Sequence, residues 1–544
     1  MLLRIEKITM PIGSNIAKIL LLWACLLCGT VNVMAQEDTT PSTTTPPPPS
    51  SQEEVVAGDS PFKSSGGTFR QYLKKAKEAS ENKNYYGAMT FYELALEASP
   101  NNLDVQYEYA EAARQAASYT MAEKAYEMVF EQRGADQFPK TEFWLASVKQ
   151  KLGKYTEAIA LYDTFLEEQI GNENIDTYTL QRARKLKMDC EWSRKMALTP
   201  RDIQIEHLSN AVNSEYNEIA PYLKGDTLFY SSTRFRSEEE NGGDARLYTR
   251  VMASVQGEEA FEVTEHKFNE GGKHTANTAF SADYTRVYFT LCDYVGETSE
   301  IRCNLFYKEL LSEGIWSTAI RLPESVNVFG ANITQPSIGY DKTEGTEVLY
   351  FASNAEGGKG GMDIWMSKIS AEGDVEAPKN LEEINTEENE LTPFFHTKSQ
   401  TLYFSSDGHQ GLGAQDIFKM PKKDGTWMDF ENMGAPVNSS LNDVYFMLNP
   451  EGEIGHLSSN RKGAAYIDPK KEICCGDLYS LEFEVKVEVL VSAFDGITKD
   501  ALAGVTITAY VLEDDGTRTE IAELENLSGN EFPFLLERGK TYVL

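Results

Sequence analysis

The chain has 544 residues, several times the ~150 of a typical domain, so more than one domain is expected. Hydrophobic residues make up 41% and charged residues 25%, ordinary globular values that exclude a wholly disordered chain and a polytopic membrane protein. Acids outnumber bases 84 to 51, and the resulting charge of −33 repels phosphate backbones, which excludes nucleic-acid binding as a main activity.

Residues 1–35 read as a secretory signal. Arg4, Lys7 and Lys18 give a positive start, Ile19–Gly29 is an uncharged and mostly apolar run, and Val33-Met34-Ala35 is a small-x-small site for cleavage. A lipoprotein reading would instead acylate Cys25, although Trp23 fits that motif poorly. Export implies an oxidising compartment, the periplasm. Cys190, Cys292, Cys303, Cys474 and Cys475 remain after cleavage, and five thiols cannot all pair within one chain. Cys292 and Cys303 flank a hairpin loop, where they either bridge it or stay reduced and buried. Cys474 and Cys475 are adjacent, which strains any mutual disulfide.

Residues 36–67 are rich in Pro, Thr, Ser and Gly and too poor in apolar groups to offset the entropy of ordering. They are expected to be a disordered linker. A repeat occupies residues 68–199. Ala76, Ala88, Tyr92 and Ala95 recur as Ala110, Ala122, Tyr126 and Val129, then as Ala146, Ala158, Tyr162 and Phe165. Small residues where two helices touch, with aromatics between them, resemble the tetratricopeptide (TPR) pattern. A further helix over Thr177–Ala197 caps the stack, and Thr199-Pro200 ends it and separates it from the strand-rich region beyond. The resemblance implies an α-solenoid whose concave face, within 68–199, binds a peptide or partner protein.

Residues 200–484 change to strand alternation. Five phrases echo one another: TLFYSS (227–232), RVYFT (286–290), VLYFAS (348–353), TLYFSS (401–406) and IGHLSS (454–459). Each has a buried anchor: Tyr230, Phe289, Phe351, Phe404 and Leu457. A second phrase trails each: ARLYTR, CNLFYK, MDIWMS, QDIFKM and GDLYSL. The grammar resembles the TolB-type, WD-repeat-like blades of bacterial envelope proteins. Five blades are expected, with six as the alternative because the TolB protein itself has six. Residues 203–212 supply an outer strand that closes the ring on the last blade. The Gly-rich loops 354–365 and 407–418 lead into strands, which is wrong for a phosphate cradle before a helix. Asp363, Asp416 and Asp477 share one repeat position and are expected to cap their loops; a calcium or ligand site is the competing reading.

Residues 485–544 resemble a carboxypeptidase-regulatory-like β-sandwich that stops short of its last strands and is expected to fold poorly. The order of signal, TPR, propeller and sandwich resembles PorE-like, OmpA-family proteins of Bacteroidetes. That resemblance implies a component of the type IX secretion apparatus at the periplasmic side of the outer membrane, binding envelope proteins through TPR groove and propeller. Full-length relatives add an OmpA-type domain that tethers the apparatus to peptidoglycan. No such domain is present here, so peptidoglycan binding is implied only for a longer form. The alternative is a peptide- or glycan-binding accessory protein of an outer-membrane uptake system.

No GxSxG or HExxH motif occurs, and His207, His266, His274, His396, His409 and His456 form no close ligand pair. The sequence therefore assigns no catalytic, metal or cofactor-binding residue, and the expectation is that the chain is not an enzyme.

Overall fold

The computed structural model describes residues 67–132, 137–236, 247–263, 268–296, 298, 300–312, 315–483, 486–513, 516–537 and 540–544. The signal peptide with Cys25, nearly all of the linker, and His266 lie outside them. Two compact units result, one reaching Phe483 and one beginning at Glu484.

The first unit opens with seven helices: α1 (Phe69–Glu81), α2 (Tyr85–Ala98), α3 (Leu103–Gln115), α4 (Tyr119–Glu131), α5 (Thr141–Lys151), α6 (Tyr155–Gln169) and α7 (Thr177–Met196). Side chains that bond their own backbone start several of them. Asn84 accepts from the Gly87 amide at 2.9 Å, Asn102 from Val105 at 3.1 Å, and Asp176 from Thr179 at 2.7 Å. Each helix packs on the next in sequence. All the recurring Ala and Tyr positions are buried, with Ala76, Ala110, Ala146, Ala88, Ala122 and Ala158 fully so, because only a methyl fits where the helices cross. Turns inside the three pairs share one left-handed residue: Lys83 (φ 59°), Ala117 (φ 59°) and Gly153 (φ 73°).

Strand β1 (Gln204–His207) comes next. Five antiparallel sheets then follow in chain order. The first has β2 (Glu218–Lys224), β3 (Thr227–Arg236), β4 (Leu247–Val255) and β5 (Phe261–Glu262). The second has β6 (His274–Phe280), β7 (Arg286–Tyr294), β8 (Ile301–Ser312), β9 (Ile315–Trp316) and β10 (Ile320–Arg321). The third has β11 (Ile333–Asp341), β12 (Thr346–Ser353), β13 (Asp363–Ile369) and β14 (Lys379–Asn380). The fourth has β15 (Glu390–His396), β16 (Thr401–Ser406), β17 (Asp416–Lys423), β18 (Thr426–Trp427) and β19 (Glu431–Asn432). The fifth has β20 (Asp443–Leu448), β21 (Ile454–Ser459) and β24 (Asp477–Glu482), and a separate hairpin of β22 (Tyr466–Asp468) and β23 (Ile473–Cys474) lies between β21 and β24 in the chain.

These sheets form a β-propeller. The anchors Tyr230, Phe289, Phe351, Phe404 and Leu457 sit at the centres of the second strands with at most 1% exposure. The first strands β2, β6, β11, β15 and β20 each touch the next, and β20 touches β2. β1 pairs with β24 antiparallel, from Gln204↔Glu482 to His207↔Tyr479, so the start of this region forms the outer strand of its last sheet. Hydrogen bonds join neighbouring sheets, and the first four run from each sheet back to the one before it. Asn277 N donates to Ser231 Oγ (3.0 Å), Gln335 N to Thr290 Oγ1 (3.3 Å), and Thr392 N to Gln335 Oε1 (2.9 Å). Tyr445 N donates to Thr392 Oγ1 (3.1 Å), and Ser458 Oγ to Glu218 O (2.7 Å).

One expected phrase is out of register. In the third to fifth sheets Ser353, Ser406 and Ser459 pair with Asp363, Asp416 and Asp477. In the first, Ser232 pairs with Arg250, the last residue of ARLYTR (245–250), so the equivalent stretch runs on beyond that phrase. The β3–β4 hairpin extends further, with a register shift between Ser232 and Phe235, and this moves the pattern along the strand.

The second unit has β25 (Lys486–Ser492), β26 (Val505–Leu512), β27 (Arg518–Asn526), β28 (Glu531–Glu537) and β29 (Tyr542–Val543). They form a β25–β28 pair and a β27–β26–β29 sheet. Val489, Val491, Ala509, Val511, Phe532, Phe534, Leu536 and Tyr542 build one shared core. The expectation of a poorly folded tail is corrected on this point: alternation along β28 turns Phe532, Phe534 and Leu536 inward together.

Candidate functional site

The boundary at Pro200 does not separate helices from propeller. Every turn inside a helix pair meets the propeller at the end where second strands run into third strands. Lys83 pairs with Glu300 (3.1 Å), Ser118 Oγ bonds the Lys471 carbonyl, and Ser440 Oγ donates to the Lys151 carbonyl (2.8 Å). Helix α7 adds Arg182 to Glu388 (3.0 Å) and a buried bond from Ser193 Oγ to Gly411 O (2.8 Å). The β22–β23 hairpin inserts between α2 and α4. Its Lys471 pairs with Glu93 (3.1 Å), bonds Thr90 (3.2 Å) and lies 5.3 Å over the Tyr86 ring, while Ile473 packs into the helical core. The ends of the helix pairs, and the α2 surface around Lys471, are therefore covered by the chain's own propeller. Sequence periodicity reports only each repeat's own core, which is why this contact was illegible.

The three aspartates sit at equivalent loop ends and are buried. Asp363 accepts from the Lys359 and Gly360 amides (2.5 and 3.2 Å) and from Asn380 (2.8 Å). Asp416 accepts from the Leu412 amide and Asn432 (both 2.7 Å). Asp477 accepts from the Ala465 amide (2.8 Å) and lies 2.6 Å from His207 Nε2. Each thus ties its loop to the outer strand of its sheet. Burial pushes the Asp416 carboxyl up to about 7 and raises Asp477. Cys292 and Cys303 face each other across β7 and β8 and form a disulfide. Cys190 and Cys475 are buried thiols, and burial pushes the former up to about 12.

A second set of repeat residues escaped the sequence reading. Asn213, Asn269, Asn327, Asn385 and Asn438 each clamp one backbone position of the neighbouring sheet's third strand. Asn385 accepts from Ile364 N and donates to Ile364 O, both at 2.8 Å. Asn269, Asn327 and Asn438 grip Val251, Leu305 and Ile417 likewise. Asn213, ahead of the first sheet, grips Leu478 of the last, at 2.8 and 3.0 Å. The available signal was an apolar-Asn pair before every first strand: 212–213, 268–269, 326–327, 384–385 and 437–438.

The five first strands line one cavity of about 420 Å³. Each strand has a bulge there, whose first residue is left-handed: Ala220, Asn277, Gln335, Thr392 and Tyr445, with φ between 50° and 58°. The cavity extends from these bulges to the turns joining first and second strands, at the end away from the helices. Tyr222, Phe280, Phe394 and Phe446 contribute aromatic wall. Gln335 Nε2 donates to Tyr445 OH (3.1 Å), whose phenol burial pushes up to about 12. His396 is lowered by burial, against the opposing carbonyls of Pro450 and Asn449. Lys342 and Lys398 stand at the rim, and no Asp or Glu is among the lining residues described. The arrangement can hold an apolar body and orient it through a few polar contacts.

No family model matches the chain, and no curated protein does. Some solved structures are similar. A thermostable family-43 glycoside hydrolase gives a TM-score of 0.31 at 11% identity, covering 52% of this chain and 93% of its own. A family-43 endo-arabinanase from Bacillus licheniformis gives 0.32 at 12%, covering 54% and 97%. A TolB-designated protein from Agrobacterium tumefaciens gives 0.30 at 12%, covering 62% and 97%. The expectation that the chain is not an enzyme is corrected by this finding: glycoside hydrolases stand among its structural neighbours, so the fold does not set the chain apart from enzymes. At such low similarity no substrate or reaction passes from them to this chain.

Proposed function

We propose that the chain is a cell-envelope scaffold that binds partner proteins, with a TPR block mounted on one face of a closed five-bladed propeller. The observation that carries this reading is the docking of every intra-pair helix turn, and of α7, on one end of the propeller. Helices and propeller then act as one platform, whose other end presents the five-strand cavity. The second unit is read as a carboxypeptidase-regulatory-like sandwich. The domain order supports membership of the PorE-like group, hence a place in the type IX secretion apparatus at the periplasmic side of the outer membrane. Peptidoglycan tethering belongs to a form carrying an OmpA-type domain.

Affinity purification of the tagged chain after mild in-cell crosslinking tests the proposal. Other envelope components of the secretion apparatus are expected to co-purify in fixed ratio. Recovery of uptake-system proteins instead, or of the chain alone, would sink the secretion assignment.

A further inference from the structure

Three of the five sheets begin with a buried carboxylate opposite a serine. Glu218 pairs with Ser232, Glu390 with Ser406 and Asp443 with Ser459, and all three acids are fully buried. Two residues beyond the serine, the first and last sheets bring an arginine to the carboxylate. Arg234 lies 2.9 Å from Glu218, and Arg461 pairs with Asp443. The fourth sheet has Gly408 at that position, where a Cβ would collide with the Thr386 hydroxyl. Glu390 is therefore a buried carboxylate without the cation its counterparts have. Other cations nearby are engaged elsewhere. Arg182 reaches Glu388 (3.0 Å) and the Asp407 carbonyl (3.3 Å), and Lys185 reaches Asp189 (2.7 Å) and the His409 carbonyl (3.3 Å). Lys359 donates to the Glu382 carbonyl, and His409 Nε2 faces the Ile384 carbonyl (2.6 Å). Asp363 of β13, Asp416 of β17 and Asp407 add only negative charge. Burial outweighs the hydrogen bonds that Glu390 accepts and, with repulsion from Asp363, pushes its carboxyl up to about 7. Burial raises Glu218 as well, with Arg234 opposing it.

The bonds of Glu390 run into the two segments that α7 grips. It accepts from the Thr386 amide (2.7 Å), Thr386 Oγ1 (2.8 Å) and Ser406 Oγ (2.6 Å). Ser406 Oγ in turn accepts from the amides of Gly408 (3.0 Å) and His409 (3.3 Å). On these segments α7 sets Tyr178 against Glu388 (2.6 Å), Arg182 against Glu388 and Asp407, and Lys185 against His409. We propose that Glu390 makes the joint between α7 and the propeller pH-sensitive. Protonated, it holds segments 386–388 and 406–409 in place; ionised, it loosens them beneath α7. A neutral carboxyl keeps acceptors on both oxygens and gains a donor, so its bonds to Thr386 and Ser406 survive protonation. An ionised one is a buried charge with no counter-ion. Because the folded carboxyl titrates higher than in an unfolded chain, its stabilisation is full below the unfolded value and is lost as pH rises through about 7.

Thermal unfolding of the full chain at two pH values tests it. Glu390→Gln should raise Tm by about 2–4 °C at pH 8 and by about a quarter of that at pH 5. Asp443→Asn, which strips Arg461 of its carboxylate, should instead lower Tm at both. Hydrogen exchange in α7, corrected for its intrinsic pH dependence, should quicken from pH 5 to pH 8 in the unsubstituted chain and far less in Glu390→Gln. Three results would overturn the proposal: a fall in Tm at pH 8 for Glu390→Gln, an equal gain at both pH values, or α7 exchange that the substitution leaves unchanged.

Discussion

Replacing Lys149 by Met is expected to destabilise the first unit by about 3 kcal/mol, at the low end of what breaking a buried ion pair costs. Lys149 lies on α5 with its side chain 8% exposed, and its Nζ contacts Glu123 (2.7 Å), Glu127 (2.8 Å) and Glu157 (2.8 Å). Burial works against the Glu123 charge, but hydrogen bonds from Lys149 and Lys154 outweigh it and hold the carboxyl below its ordinary range. Met fills the aliphatic space and removes the charge. Glu127 and Glu157, at 44% and 58% exposure, can rehydrate, whereas Glu123 keeps only Lys154 (2.7 Å). The loss should show in urea unfolding, and adding Glu123→Gln should recover part of it. A loss under about 0.5 kcal/mol would mean that the cluster is solvated and worth no more than surface pairs.

The Asn213→Ala variant should lose about 1–3 kcal/mol, because the buried Leu478 amide is left unpaired while its carbonyl keeps the Leu208 amide (3.0 Å). Asn385→Ala removes the same pair of bonds at Ile364, between consecutive sheets. The clamp geometry is shared, so similar losses are expected although Asn213 spans 265 residues and Asn385 only 21. Denaturant titrations of both variants decide the matter. A much smaller loss for Asn213→Ala would show that the first and last sheets are loosely joined.

How much the sequence revealed depended on the range of the interaction. The helix repeats were legible because Ala76, Ala110 and Ala146 answer to a local steric demand. So were the sheet anchors, since a central second strand buries both faces and spells a continuous apolar run such as Val348–Ala352. The aspartate loop ends were visible as repeated letters, yet their partners Asn380, Asn432 and His207 lie on other strands and only the folded chain brings them in. Asn213 and its equivalents were hidden differently. They sit in connecting segments with no strand periodicity, and their partners are backbone groups, which leave no trace in side-chain pattern. The Lys471 contact with Tyr86 and Glu93 joins segments nearly four hundred positions apart, and no periodicity encodes it.

Site-specific photo-crosslinking in the cell tests the partner-binding platform most directly. A photoreactive side chain at Tyr340, on the cavity lining and 37% exposed, and another at Phe130 on α4, also 37% exposed, sample its two ends. Leu311, 66% exposed on the long strand β8, serves as the comparison. The account predicts discrete crosslinks to envelope proteins from Tyr340 and Phe130, and none of that intensity from Leu311. Discrete crosslinks from Leu311 alone, or from none of the three, would contradict it.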